Sequence, residues 1–191
     1  MAESITSTRK KAQLWLGFFY LWHIKHMIEK FEGRWWFLSN FYPCKIEHRG
    51  IMYPSVEHYY VAMKCKNEQM IEGRQYTPID FMEMVSMLPT AALAKSIGKK
   101  MQVRKDWDQK KLDFMNWGVR EKFKDEKLKE MILSTCDMPL IEGNLWHDNF
   151  WGQCECVKCS KKGANNLGRI LMDVRKELRG EPKMGLENFL K

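Results

Sequence analysis

The sequence NNLGRILMDVRKEL at residues 165–178 contains the clearest secondary-structure signal in the chain. Its apolar side chains recur at helical spacing and form one stripe, at Leu167, Ile170, Leu171, Val174 and Leu178. Such a stripe is typical of a helix that packs one face against a core. Either Asn165 or Asn166 stands where an N-cap residue is expected. We therefore predict a helix that begins at one of these two asparagines.

Helices are also predicted over most of the sequence upstream of this segment. Pro54 and Ser55 form a helix start signal, and apolar residues at helical spacing follow from Val56 to Met63. Further helices are predicted at residues 79–88, 90–97, 108–124 and 127–134. Aromatic and β-branched residues predict short strands at 34–42 and 45–53, with a turn at Arg49-Gly50. The sequence thus predicts a mostly α fold with a small antiparallel sheet near the N-terminus.

The chain has 191 residues, 45% of them hydrophobic, which is enough for one core. An apolar run at residues 12–22 follows a basic cluster, as in a signal peptide. The run is far shorter than the ~20 residues of a membrane span, and no small-residue cleavage site follows it. We expect a helical extension at 1–30, with attachment to a membrane surface as the alternative. A globular domain at 31–180 and a tail at 181–191 complete the predicted organisation.

The net charge of the chain does not by itself identify a binding partner. Lys and Arg outnumber Asp and Glu by 32 to 24, so the formal charge is +8. The basic excess is concentrated at residues 95–129 and 158–183. This distribution fits a phosphate-bearing partner, and it fits a solvated basic surface equally well.

The six cysteines indicate free thiols and a cytoplasmic protein, because a chain of this size and helical pattern needs no disulfide framework. Three of them, Cys154, Cys156 and Cys159, cluster near His147. Thiolates and imidazole are the usual ligands of zinc. The spacing differs from a common finger knuckle, and the sequence does not identify a fourth ligand. Zinc binding and a cluster of free thiols both stay open.

Four segments carry a family resemblance: FLSNFYP at 37–43, PSVEHYY at 54–60, RKDWD at 104–108, and LIEGNLWHDNFWGQCEC at 140–156 continuing into GANNLG at 163–168. Occurring in this order, they resemble the NADAR family of YbiA-like proteins from about residue 31 to 179. The resemblance implies a compact orthogonal helical bundle with a small antiparallel sheet near the N-terminus. It places the family domain at 31–180.

The resemblance also implies an activity. It implies an N-glycosidase that cleaves the bond between a ribose C1′ and a nitrogen, in ADP-ribosylated guanine or in a phosphoribosyl-type pyrimidine of the riboflavin pathway. No redox cofactor or active-site metal is expected for this reaction. The expected partner is a nucleotide-like small molecule or an ADP-ribosylated nucleic acid. No membrane partner is expected, and protein partners are not indicated.

Two carboxylates are the predicted catalytic residues of such a site. Cleavage builds positive charge on the sugar, so a carboxylate is needed beside the anomeric carbon. Glu57 lies in the first turn of a predicted helix, where the dipole favours a negative charge. Asp148 lies between Trp146 and Trp151 in a predicted loop. The alternatives are that Glu57 only complements the helix dipole and that Asp148 caps a turn.

Aromatic and amide side chains are the predicted substrate-binding residues. A tryptophan ring can stack on a base, although burial in the core is the more frequent role of tryptophan. Asparagine can contact ribose hydroxyls or phosphate, and at a helix N-terminus it can also be a plain N-cap. Many family members have a basic residue at the position of Trp36, so Arg34 is the candidate phosphate contact here. The predicted binding residues are Arg34, Asn40, Trp107, Trp146, Trp151 and Asn165.

Two functions of other classes stay open at the level of the sequence. A module that binds ADP-ribose or NAD without cleaving it needs the aromatic and amide residues, but it has no use for Glu57 beside the sugar. A nucleic-acid-binding protein that uses its basic helices would bind with a steep salt dependence.

Overall fold

The structure, a computed structural model, describes residues 27–160 and 162–181. The predicted helical extension at 1–30 and the predicted tail at 181–191 lie almost wholly outside the described residues. The chain divides into two compact units. We call residues 31–134 and 169–181 the helical unit, and residues 27–30 and 135–168 the loop unit. Each unit is described by itself.

The helical unit contains most of the secondary structure. A 3-10 helix covers Gly33–Leu38. Two hairpins are formed by β1 (Ile46–His48) with β2 (Ile51–Tyr53) and by β3 (Gln69–Ile71) with β4 (Arg74–Tyr76), each antiparallel. The helices are α1 (Val56–Met63), α2 (Pro78–Ser86), α3 (Ala91–Lys100), α4 (Trp107–Lys122) and α5 (Glu126–Leu133). Helix α6 (Asn166–Leu178) begins in the loop unit and continues into the helical unit.

Helix α1 is the centre of the helical unit. It begins at Ser55, whose side-chain oxygen accepts a hydrogen bond from the His58 N–H, as an N-cap does. All residues from Val56 to Met63 are buried, and α2, α3 and α4 pack around them. The close approach of α4 depends on Gly118, because a Cβ there would lie 2.8 Å from the Tyr59 ring. Functional side chains on α1 are therefore held by a rigid core helix.

The helices predicted between residues 54 and 178 and the first hairpin are confirmed, and the fold is mostly α. Local capping explains why the helix starts could be predicted. Thr77 forms a capping box with Asp80, and Thr90 and Asp125 accept hydrogen bonds from Leu93 and Leu128 at the starts of α3 and α5. In the β1–β2 turn, Arg49 and Gly50 both have positive φ, as a two-residue hairpin of type I′ requires.

Two local predictions need correction. Residues 34–42 do not form a strand, because the Trp35 N–H bonds to the Glu32 carbonyl and the Ser39 N–H to the Trp36 carbonyl, closing a 3-10 helix. The β3–β4 hairpin was not predicted. Its turn at Glu72-Gly73 has positive φ at both residues, and Glu is an unusual first residue for such a turn.

The loop unit has little regular structure and is held by backbone contacts. Strands β5 (Gly143–Asn144) and β6 (Gln153–Cys154) form a short parallel pair. Glycines allow its segments to meet, since a Cβ at Gly152 would lie 2.0 Å from the Glu142 carbonyl oxygen and one at Gly168 would lie 2.1 Å from that of Leu140. Among all residues that the structure describes, no helix has the length and apolarity to cross a membrane.

Candidate active site

Glu57 lies in the first turn of α1 and is 8% exposed. Its backbone N–H donates a hydrogen bond to the backbone carbonyl of Asn40 at 3.0 Å. The position combines burial with the positive end of the helix dipole. Burial disfavours the charged form of a carboxylate, whereas the dipole favours it. A carboxylate held in this way can stabilise positive charge that develops on a neighbouring group.

Asn40 is the second predicted site residue in this part of the helical unit. Its side chain is 9% exposed, and Nδ2 lies 3.2 Å from the Met115 sulfur. The Oδ1 atom is buried and accepts no hydrogen bond from any described residue. A buried acceptor without a donor is costly, so a hydroxyl or N–H of a ligand would be bound favourably there. The structure thus brings Glu57 and Asn40 together, although they lie far apart in the sequence.

Lys64 is a functional candidate that the sequence analysis missed. It caps the C-terminus of α1, and its Nζ lies 5.4 Å from the Tyr60 ring centre and 5.8 Å from that of Trp107. Burial lowers the pKa of Lys64, while the charge of Glu57 raises it and that of Lys95 lowers it further. Glu57, Tyr60 and Lys64 share one face of α1, because their spacing of three and four residues matches the helical repeat. This spacing in the sequence could have indicated Lys64 as a neighbour of Glu57.

Trp107 stands at the start of α4, half-buried in an aromatic cluster. Its ring is nearly parallel to that of Phe114, with centres 5.9 Å apart, and tilted against Tyr60 at 4.9 Å. The preceding turn is fixed by a two-fold ion pair of Arg104 with Asp106, at 2.6 and 2.8 Å. The hydrogen bond from Arg104 holds the pKa of Asp106 well below its usual range. Trp107 therefore has packing partners, and base stacking by its ring stays a prediction.

Two further cations of the helical unit lie over aromatic rings. Lys95 on α3 lies over the Phe41 ring at 5.5 Å. Arg34 is exposed and its guanidinium lies 4.4 Å from the centre of the Trp35 ring. The positive charge of Lys95 acts on Lys64 and contributes to lowering its pKa. The predicted phosphate contact of Arg34 stays a prediction.

Asp148 forms a turn in the loop unit. Its Oδ1 accepts hydrogen bonds from the N–H groups of Phe150 at 3.2 Å and Trp151 at 2.8 Å. The backbone of Asp148 is held in turn by the side chain of Asn144, at 3.1 and 2.8 Å. The capping alternative is thus present in the structure. A catalytic task for the carboxylate stays a prediction.

The other predicted residues of the loop unit differ in their settings. Trp146 is 60% exposed, whereas Trp151 is half-buried with its ring edge-on to Phe150 at 4.9 Å. Asn165 is buried, its Oδ1 accepts from the Glu142 N–H at 3.0 Å, and its Nδ2 donates to the Leu140 carbonyl at 2.9 Å. The Asn165 side chain therefore joins two backbone segments. A contact between this amide and a ribose or phosphate stays a prediction.

A cavity of about 570 Å³ lies elsewhere in the helical unit. It is lined by Cys44, Tyr53, Asp125 and neighbouring residues, and it contains none of the predicted site residues. Burial raises the pKa of Tyr53 to about 12, so its hydroxyl stays protonated at neutral pH. This cavity is therefore not part of the candidate site, because the predicted reaction requires a carboxylate next to polar and cationic groups.

Comparison with known proteins identifies the family. A family model described as the NADAR domain matches residues 27–179. The chain belongs to this family, and the resemblance found in the sequence is confirmed.

Two relatives and one solved structure illustrate the similarity. A riboflavin biosynthesis protein of Vibrio vulnificus is 36% identical over 81% of this chain, which spans only 38% of that protein's length. An N-glycosidase of Nostoc punctiforme is 34% identical over 74% of this chain and 84% of its own. The NMR structure of Escherichia coli YbiA matches with a TM-score of 0.63 and 26% identity, covering 81% of this chain and 86% of that one. The fold of the chain is therefore YbiA-like.

Proposed function

We propose that this protein is an N-glycosidase that hydrolyses the ribose C1′–N bond of a nucleotide-like substrate. Its family membership supports the proposal, as does its similarity to the Nostoc protein named as an N-glycosidase. The substrate is an ADP-ribosylated guanine or a phosphoribosyl-type pyrimidine of riboflavin biosynthesis. The second possibility is supported by the name of the Vibrio relative.

The observation that carries the proposal is the buried carboxylate of Glu57 beside Asn40 and in electrostatic contact with Lys64. A residue that only complemented a helix dipole would lie well on the surface, where solvent solvates its charge. Glu57 is instead placed in the core helix of the unit. Burial of a charge is costly, so it is expected where function requires the charge.

The reaction assigns a task to each group. As the C1′–N bond breaks, its electron pair leaves with the base and the sugar becomes cationic, a state that Glu57 stabilises. A water oxygen then bonds to C1′ and releases one proton, while the base takes up one proton. The unsatisfied Oδ1 of Asn40 accepts a hydrogen bond from a ribose hydroxyl. Lys64 suits proton delivery to the base, since its lowered pKa lies closer to neutral pH.

Substitution of Glu57 tests this proposal. Glu57→Gln keeps the shape of the side chain and removes its charge. We expect single-turnover cleavage to fall by at least ~100-fold, or about 2.7 kcal/mol, with a much smaller change in binding of the substrate at equilibrium. The substrates are DNA ADP-ribosylated on guanine and ribosylamino-pyrimidine phosphates, and products are identified by mass.

The matched control is Glu47→Gln, which alters an exposed glutamate on β1 of the same unit. This variant should cleave at the wild-type rate. Equal rates for Glu57→Gln and the wild type would remove Glu57 from the site. A wild-type protein that binds ADP-ribose and cleaves none of these substrates would instead be a non-catalytic ADP-ribose or NAD-binding module.

A further inference from the structure

A cluster of metal-ligand side chains in the loop unit has no task in the proposed cleavage. The Nδ1 atom of His147 and the sulfurs of Cys154, Cys156 and Cys159 all lie within 4.8 Å of one another. All of these cysteines are free thiols, and Cys154 is fully buried. The sequence indicated the three thiols with His147 nearby, and the structure brings the imidazole to them as the fourth group.

We propose that these four side chains bind one structural zinc ion. Zinc binds three thiolates and one imidazole in tetrahedral geometry. With Zn–S bonds of about 2.3 Å and a Zn–N bond of about 2.0 Å, nitrogen and sulfur in such a site are about 3.6 Å apart. In this structure, His147 Nδ1 lies 3.4 Å from the sulfurs of Cys156 and Cys159 and 3.9 Å from that of Cys154. These three distances match the nitrogen–sulfur separations of a zinc shell, and the widest separation in the cluster, 4.8 Å, would have to shorten to about 3.8 Å when zinc binds.

The backbone around two of the thiols is folded as a metal-binding turn. The Cys159 N–H lies 3.1 Å from the carbonyl oxygen and 3.4 Å from the sulfur of Cys156. The side-chain amide of Asn149 points Nδ2 at the Cys159 sulfur, at 3.2 Å. N–H groups directed at sulfur stabilise a thiolate, and the thiolate is the form that binds zinc. Neutral thiols would gain little from these N–H donors, whereas zinc-bound thiolates are stabilised by them.

The backbone of His147 has a conformation that histidine adopts more often than most non-glycine residues do. This residue has φ 65, in the left-handed region that is unfavourable for most residues with a Cβ. Four protein ligands complete a tetrahedral shell, so the ion has no open position for water or substrate and its role is structural.

The zinc site also has a consequence for one predicted substrate-binding residue and one predicted catalytic residue. His147 lies directly between Trp146 and Asp148 in the sequence. A ligand bond at His147 therefore restricts the backbone on both sides of it. We expect zinc to hold these two neighbours in place, and this consequence, unlike the metal site itself, rests on the proposed function.

Metal analysis of the protein purified without added metal tests the site. We expect about one zinc and no iron per chain. Cys156→Ser and His147→Asn should lose the zinc. Asparagine tolerates a left-handed backbone, so His147→Asn removes the imidazole with little strain. The matched control is Cys136→Ser, an exposed thiol of the loop unit outside the cluster, which should keep its zinc.

Stability provides the second readout. A chelator should lower the melting temperature of the wild type and of Cys136→Ser, and added zinc should restore it. If the ligand variants do not fold, thiol titration of the native wild type replaces them. Cys156 and Cys159 should then react with a thiol reagent only after chelation, because zinc protects them.

Several results would overturn the zinc site. They are a zinc content below about 0.2 per chain with a melt that chelation does not change, iron in place of zinc, and equal zinc in Cys156→Ser and Cys136→Ser. None of these measurements depends on cleavage. An inactive wild type that contains zinc would contradict the proposed function alone, and an active wild type without zinc would contradict the zinc site alone.

Discussion

The backbone N–H of Glu57 donates a hydrogen bond to the backbone carbonyl of Asn40 at 3.0 Å. The first N–H groups of a helix have no partner inside the helix, so this bond satisfies one of them from outside α1. It also fixes the distance between the Glu57 and Asn40 backbones. The two side chains proposed to contact one ribose therefore extend from backbone positions that this bond holds together.

Asn40→Ala should weaken substrate binding while changing the stability of the protein little. Loss of the buried Oδ1, which has no donor among the described residues, offsets the loss of the contact to Met115, so the free energy of unfolding should change by less than about 1 kcal/mol. Substrate binding should weaken by about 1–2 kcal/mol, because a ribose hydroxyl loses its acceptor. Denaturant unfolding and equilibrium binding measure the two quantities. Asn67→Ala, at an exposed position of the same unit, is the control. Unchanged binding would contradict the assigned role.

Trp107→Ala and Trp146→Ala test base stacking. If the rings stack on the base, each substitution should weaken substrate binding by ~1–3 kcal/mol and leave a cooperative thermal transition. Trp117→Ala is the comparison, because Trp117 packs against Tyr59 and His48 with ring centres 4.8 Å apart. It should destabilise the protein by about 3 kcal/mol without a specific effect on binding. Loss of the thermal transition in Trp107→Ala would assign this residue to the core.

The role of Asp148 can be tested by two substitutions, one that removes only its charge and one that also removes its hydrogen bonds. Asp148→Asn keeps an oxygen that accepts from Phe150 and Trp151, and Asp148→Ala does not. A turn-forming role predicts wild-type turnover for Asp148→Asn and a loss of about 1 kcal/mol of stability for Asp148→Ala. A catalytic role predicts a fall in turnover for Asp148→Asn at unchanged melting temperature, smaller than that of Glu57→Gln. Single-turnover cleavage and thermal melts distinguish the two roles.

The helices could be predicted because their signals are local. Ser55, Thr77 and Thr90 each cap the helix that follows, and apolar periodicity defines the rest. Segment 34–42 was mispredicted because aromatic residues favour strands only where a partner strand is available, and here local bonds close a 3-10 helix.

The candidate site was less predictable because its contacts join distant segments. The sequence indicated Glu57 and Asn40 through the family motifs, but not the backbone bond between them. It could not show that Lys64 is partly desolvated, nor that the amide of Asn165 is used by the backbone at Leu140. These facts depend on tertiary packing, which no local pattern encodes.

The last prediction concerns His58, whose ring is 2% exposed beside the start of α1. Its Nε2 lies 3.1 Å from the Leu88 carbonyl oxygen, which can only accept, so Nε2 carries the proton. The Ser55 hydroxyl, 2.7 Å from Nδ1, then donates to that nitrogen. The neutral ring therefore has both of its hydrogen bonds, and a proton added at Nδ1 would force the Ser55 hydroxyl to change from donor to acceptor.

Burial lowers the pKa of His58, and the hydrogen bond to Leu88 only partly opposes this effect. Below the ordinary histidine pKa of about 6.5, the unfolded chain thus binds a proton that the folded chain does not. Stability should fall as the pH falls through this window, down to the folded pKa of His58, with a slope of at most about 1.4 kcal/mol per pH unit. The half-buried His48, whose pKa burial also lowers, contributes with the same sign.

The measurement is the free energy of unfolding of the wild type and His58→Gln between about pH 5.5 and about pH 7.5. His58→Gln cannot titrate, so its stability should depend less steeply on pH even if the variant is less stable throughout. His48→Gln, the matched variant at a less buried ring, should keep most of the wild-type slope because it leaves His58 in place. Identical slopes for the wild type and His58→Gln would show that the buried ring does not resist protonation.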